Sequence, residues 1–88
     1  MLRDVKRSGE MEVFVAVVEA GSFSEAARRL NMSPSAVSKL MARLEARLAT
    51  RLLNRSTRSI DLTTEGERFH RESLCILEQM TALEEGLL

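Results

Sequence analysis

The spacing of apolar residues near the start of the chain predicts an amphipathic helix. Four apolar side chains recur at intervals of three and four residues, namely Met11, Phe14, Val15 and Val18. This spacing places them on one face of a helix, which we expect to run from about Gly9 to Ala20. Ser8 is a suitable N-cap for this helix, and Gly21 can end it in a left-handed conformation.

Capping signals predict two further helices. Ser22 and Glu25 fit a capping box, in which the serine hydroxyl accepts the amide of Glu25 and the carboxylate returns to the amide of Ser22. The second helix must end before Pro34, because proline cannot continue a helix. Proline is favourable at the first position of a helix. We therefore expect Ser33 to cap a third helix that runs from Pro34 to about Ala49.

The pattern changes in the second half of the chain. Two short apolar runs, at 52–53 and 60–62, flank a polar segment at 54–59, and this predicts a small β-hairpin. Thr63 can cap a long last helix over residues 64–88. Apolar residues on that helix follow one another at intervals of seven, four, three and four, namely Phe69, Ile76, Met80, Leu83 and Leu87. A stripe of this length is too apolar to stay in water, so it predicts a dimer interface.

Length and composition indicate a single small domain. At 88 residues, folding buries a limited share of the surface, and association with a partner is expected to add stability. The lone Cys75 cannot form an intramolecular disulfide, and no Cys/His spacing fits a structural zinc. We expect no cofactor, a buried Cys75 beside the apolar stripe, and His70 on the surface.

The chain has neither a membrane-spanning pattern nor a signal-peptide pattern. No apolar run reaches the length of a spanning helix, and the charged first residues lack an apolar stretch. We expect a cytoplasmic, nucleoid-associated protein without a membrane partner.

Charge is strongly segregated although the net charge is zero. Residues 22–60 hold eight basic and two acidic side chains, whereas residues 61–88 hold two basic and seven acidic ones. Such asymmetry is expected when one face meets phosphates and another points away from them. Charge alone leaves a second interpretation open, in which these are ordinary solvated helix faces.

The second and third helices form a helix-turn-helix pattern. Packing of Val37 and Leu40 on the second helix would leave an outer row free to enter a DNA major groove, namely Ser35, Ser38, Lys39, Ala42 and Arg43. Lys39 and Arg43 could each reach a guanine edge or a phosphate. The hairpin would add Arg55 and Arg58 as a wing on the DNA backbone or in the minor groove. The predicted fold is mainly α: a winged helix-turn-helix of three helices and a small β-hairpin, followed by a long helix.

The chain also resembles a known family. Residues 14–30, 33–39, 43–45, 51–55 and 62–66 are similar to the N-terminal domain of LysR-type transcriptional regulators. The resemblance implies a winged helix-turn-helix over 1–63 and a linker helix over 64–88 that dimerises the domain. It also implies DNA contacts from the recognition helix and the wing, namely Ser33, Pro34, Ser35, Ser38, Lys39, Arg43, Arg55, Thr57 and Arg58.

The sequence departs from the family pattern at several positions. Pro34 stands where many members have glutamine, so a base contact by that side chain would be lost. Family members are also roughly three times longer and carry an effector-binding domain, which we expect to be absent from this chain. A small-molecule effector is therefore expected to act only on a full-length form.

These patterns discriminate between three classes of function. An enzyme is disfavoured, because the sequence has no metal cluster, nucleophile–base pair or phosphate-binding glycine loop. A helical interaction module is the serious alternative, since the last helix could be the functional part. A basic wing and a hydroxyl-rich helix start favour DNA binding instead. We expect a homodimer, paired through the last helix, that binds double-stranded DNA carrying paired half-sites.

Overall fold

The computed structural model of the protein describes residues 7–54 and 60–88, and it contains the predicted order of helices and strands. The elements are α1 (Arg7–Ala20), α2 (Phe23–Leu30), α3 (Pro34–Leu48), β1 (Leu53–Asn54), β2 (Asp61–Leu62) and α4 (Thr64–Leu87). The prediction of a mainly α winged helix-turn-helix followed by a long helix is confirmed.

Three predicted N-caps hold the helices at their starts. The hydroxyl oxygens of Ser22, Ser33 and Thr63 accept backbone amides three residues ahead, at 3.1, 3.1 and 2.9 Å. Each cap satisfies an amide that would otherwise lack a partner in the first turn. These local signals therefore define where α2, α3 and α4 begin.

One cap prediction, for the start of α1, is wrong. Ser8 lies inside α1, which already includes Arg7, so it is not the N-cap. The third helix ends at Leu48, one residue from the predicted end at about Ala49, and Ala49 is its C-cap with a left-handed φ of 51° and ψ of 39°. Gly21 ends α1 with a left-handed φ of 82°, as the sequence indicates, and Asn31 is the C-cap of α2 with φ of 59°.

The core lies where α1, α2 and α3 meet. The buried apolar side chains of this cluster are Val13, Phe14, Val17, Ala26, Ala27, Val37, Met41, Leu44, Leu52 and Leu53. The small side chains of Ala26 and Ala27 are almost fully covered, which is consistent with α2 crossing its neighbours closely. Leu52 and Leu53 extend the core beneath the hairpin, so the base of the wing is anchored in the same hydrophobic cluster.

The first half of α4 packs against α1. The rings of Phe14 and Phe69 meet edge to face with centroids 5.3 Å apart, a favourable aromatic geometry. Gly66 and Ser73 of the same α4 face are buried. Phe69, which the sequence analysis places in the dimer stripe, therefore makes an intramolecular contact with α1 and is half-buried.

Two further α4 predictions are wrong. His70 is half-buried, and its ring lies beside Phe14 at a centroid distance of 6.4 Å. Cys75 is exposed and is not a core residue. Both errors concern the rotation of α4, which places Phe69 and His70 beside Phe14 of α1 and leaves Cys75 exposed.

The hairpin is a two-stranded antiparallel sheet. Leu53 pairs with Leu62 and Asn54 with Asp61, so the strands lie close to the predicted runs. The tip at 55–59, which includes the predicted wing contacts Arg55, Thr57 and Arg58, lies outside the described residues. In the described parts of the chain, no helix combines the length and apolar character needed to cross a membrane.

Candidate nucleic-acid interface

The third helix has one buried face and one exposed face. Val37, Met41 and Leu44 have at most 1% of their surface exposed. The predicted interface residues of α3 and its N-cap lie elsewhere: Ser33, Pro34, Ser35, Lys39 and Arg43 are exposed, and Ser38 is half-buried. The fold therefore brings these six side chains to the start and outer face of one helix.

The start of α3 presents two hydroxyl groups at the positive end of the helix. The Ser33 hydroxyl oxygen accepts the amide of Ala36 and lies 3.3 Å from the Ser35 hydroxyl oxygen. Capping uses the oxygen of Ser33 as an acceptor, and its hydrogen is still able to donate. Pro34 occupies the first turn, where its missing N–H costs nothing. The positive end of the helix dipole suits an anionic partner such as phosphate.

Lys39 and Arg43 supply the positive charge further along the exposed face. They stand one helical turn apart and are both exposed. Among the residues that the structure describes, no ion pair engages either of them. Their charges are therefore available to an external anion.

The two arginines of α2 are engaged by an acidic neighbour. The Glu25 carboxylate accepts hydrogen bonds from Arg28 and from Arg29, with Nε–O distances of 3.0 and 3.1 Å. The bonds from Arg28, and then those from Arg29, lower the pKa of Glu25 from 4.5 to about 2. The predicted return of this carboxylate to the Ser22 amide is thus replaced by these two ion pairs.

Two charged residues of α3 serve the fold, and the sequence analysis missed both. Arg47 binds the carboxylate of Glu10, which is only 3% exposed. Glu45 accepts the backbone amides of Leu52 and Leu53 at 2.7 and 2.9 Å. A signal for the first contact was present, because Glu10 precedes Val13 and Phe14 at helical spacing on the buried face of α1. The contact of Glu45 left no comparable signal.

The predicted dimer residues differ in exposure along α4. Ile76, Leu83 and Leu87 are 42%, 66% and 81% exposed, while Met80 is half-buried. Large apolar side chains of this exposure on one side of a helix commonly mark a contact surface. Without Phe69, this apolar stripe consists of Ile76, Met80, Leu83 and Leu87.

Comparison with known proteins places this geometry in a family. The model of the bacterial regulatory helix-turn-helix proteins of the lysR family matches residues 9–67. The chain belongs to this family. That match covers the helix-turn-helix, the hairpin and the first turn of α4, so the resemblance seen in the sequence is confirmed.

Individual members of the lysR family agree with this assignment. The chain is 51% identical over 81 residues to the HTH-type transcriptional regulator CrgA of Neisseria meningitidis serogroup C strain 8013, which covers 92% of this chain and 27% of CrgA. The crystal structure of a BenM_DBD/catB site 1 DNA complex gives a TM-score of 0.88 at 30% identity over 90% of this chain and 85% of that chain. The CbnR_DBD–DNA complex gives 0.84 at 37% identity, over 90% and 91%. The chain thus spans about a quarter of the regulator CrgA and most of each DNA-bound domain.

Proposed function

We propose that this chain is the sequence-specific double-stranded DNA-binding domain of a LysR-type transcription regulator, with α3 in the major groove. The observation that carries the proposal is the exposed face of α3, where Ser35, Lys39 and Arg43 stand opposite the buried Val37 and Met41. Similarity to BenM and CbnR domains solved with DNA supports the same partner. A bacterial transcription regulator acts at the chromosome, so we place it in the cytoplasm with the nucleoid.

Each proposed contact has a chemical role. Ser33, Ser35 and Ser38 donate to phosphates or base edges, and Lys39 and Arg43 reach guanine or phosphate oxygens. Pro34 packs on the backbone, since it has no side-chain donor. From the wing, Arg55, Thr57 and Arg58 contact the DNA backbone or the minor groove.

The domain is proposed to act as a homodimer through α4. Ile76, Met80, Leu83 and Leu87 form the contact, because pairing removes their exposed apolar surface from water. A dimer presents two recognition helices to paired half-sites, which lie a helical turn of about 34 Å or a multiple apart. Any response to a small-molecule effector belongs to a full-length form.

Salt dependence tests the proposed function. If about six phosphates are neutralised per dimer, the logarithm of the binding constant falls against the logarithm of salt with a slope of roughly −5. Fluorescence anisotropy with a labelled duplex measures this slope for the parent and for Lys39→Ala/Arg43→Ala, which should give a shallower one. Arg71→Ala is the control, because Arg71 is exposed on α4, away from α3. A flat salt dependence of the parent would contradict the proposal.

A further inference from the structure

The backbone of Leu52 is bonded from two sides. Its N–H donates to Glu45 Oε2 at 2.7 Å, and the next amide, of Leu53, donates to the same oxygen at 2.9 Å. The carbonyl oxygen of Leu52 accepts the amide of Thr63 at 3.0 Å. The junction segment, residues 51–53, therefore connects α3 directly to the start of α4.

The helix α4 lies against this junction segment at a glycine. A Cβ added to Gly66 would stand 2.1 Å from the carbonyl oxygen of Leu52 and 3.0 Å from its carbonyl carbon. These are backbone atoms that Glu45 and Thr63 hold in place, so they cannot move aside as a flexible side chain would. A larger residue at Gly66 would push α4 away from the junction segment.

The hydroxyl of Thr63 adds a third connection. It donates to the carbonyl oxygen of Arg51 at 2.7 Å and accepts the amide of Gly66 at 2.9 Å. One side chain thus ties the junction segment to the first turn of α4. Both bonds need the hydroxyl group, and the methyl group of Thr63 makes neither.

We propose that Gly66, Thr63 and Glu45 are positioning residues that fix the angle between α3 and α4 and thereby set the half-site separation that the protein prefers. This inference rests on the proposed function, in which α3 reads DNA and α4 pairs two protomers. α4 has 24 residues and is about 36 Å long. A small change of angle at its first turn therefore becomes a displacement of several ångströms along the dimer.

Such a displacement would change the number of base pairs between the two half-sites that the protein prefers. Successive base pairs stand about 3.4 Å apart along the helix axis. Two recognition helices held at a different separation would meet half-sites that are one or more base pairs closer or farther apart. The half-site sequence would not change, because the exposed face of α3 is untouched.

Selection from random-sequence duplexes tests the proposal with the full chain. The enriched duplexes report both the half-site sequence and the number of base pairs between half-sites. Gly66→Ala is compared with Gly86→Ala, which makes the same change in α4 where the added carbon meets nothing within 4 Å apart from the adjoining backbone of the helix itself. Thr63→Val removes both hydroxyl bonds at similar size, and Thr63→Ser retains the hydroxyl. Circular dichroism establishes that each variant is folded.

The two test variants should keep the half-site of the parent and change its separation. Gly66→Ala is expected to shift the preferred separation by at least one base pair, about 3.4 Å, and Thr63→Val to broaden it. Gly86→Ala and Thr63→Ser should enrich the duplexes of the parent. If Gly66→Ala does not fold, the half-site separation preferred by Thr63→Val tests the inference alone. Parent-like separation in every folded test variant overturns the inference and leaves the proposed function intact, whereas a parent that enriches no paired half-sites contradicts both.

Discussion

Arg47 on α3 donates two hydrogen bonds to one oxygen of the Glu10 carboxylate on α1. The Nη2 and Nε atoms lie 2.6 and 3.1 Å from Oε1. The side chain of Glu10 is 3% exposed and that of Arg47 is 34% exposed. The hydrogen bonds from Arg47 therefore replace the water that the buried carboxylate has lost. The pair joins α3 to α1, the helix against which α4 packs, and Arg47 is engaged within the fold.

Removal of Arg47 should therefore destabilise the fold. Arg47→Ala leaves a buried carboxylate without this partner, and we expect a loss of about 3 kcal/mol in the free energy of unfolding. Urea unfolding followed by circular dichroism at a fixed protein concentration measures it. Arg43→Ala is the matched control, with a change within about 0.5 kcal/mol because Arg43 is exposed. Equal stability of the two variants would show that the pair contributes nothing.

The serine hydroxyl groups of α3 should determine which DNA sequence the protein prefers. We expect Ser35→Ala or Ser38→Ala to weaken binding to a preferred duplex by on the order of 1–3 kcal/mol, with little effect on random duplexes. Arg58→Ala should weaken both alike, since a phosphate contact holds no sequence information. Thr81→Ala, which removes an exposed side chain of α4, serves as the control. Equal losses on both duplexes for the serine variants would refute their assignment to readout.

Charges placed in the apolar stripe of α4 should separate the dimer. Ile76→Asp/Leu83→Asp is expected to sediment as a monomer at micromolar concentration and to lose cooperative binding to a duplex with two half-sites. Cys75→Asp/Ala82→Asp is the matched control. It adds two charges at the same seven-residue spacing on exposed positions, rotated by about 100° around the helix. A dimeric Ile76→Asp/Leu83→Asp variant, or a monomeric parent, is incompatible with pairing through this stripe.

The left-handed C-cap of α3 offers a stabilising substitution. Ala49 has φ of 51°, a conformation that costs about 1–2 kcal/mol for a residue with a Cβ. Ala49→Gly should raise the free energy of unfolding by about 1 kcal/mol. Ala46→Gly, three residues earlier and inside α3, should lower it by about 0.5–1 kcal/mol. Thermal unfolding of both variants shows whether each substitution raises or lowers the stability. A loss of stability in Ala49→Gly would contradict the conclusion that the backbone of Ala49 is strained.

Local signals made most of the fold predictable from the sequence. The caps at Ser22, Ser33 and Thr63 act over three residues, and Pro34 separates two helices by its covalent structure. Such signals need no knowledge of tertiary contacts. The order of elements and the outer face of α3 follow from them.

Contacts between distant segments were not predictable in the same way. Glu45, Arg47 and Gly66 look like ordinary residues of exposed helices until the chain is folded, because their partners stand seven or more residues away. Phe69 shares its spacing with the exposed stripe, yet the rotation of α4 turns it onto Phe14. Helical periodicity defines a face but cannot tell whether the face meets α1 or a second protomer.

Placement of α3 in the major groove is tested most directly by methylation protection. Dimethyl sulfate attacks guanine N7 in the major groove and adenine N3 in the minor groove, so it reports which groove is covered. On a duplex selected by the protein, we predict protection of guanine N7 in both half-sites by the parent, and its loss in Lys39→Ala/Arg43→Ala. Protection of adenine N3 alone, with guanine N7 fully reactive across both half-sites, would contradict the placement of α3 in the major groove.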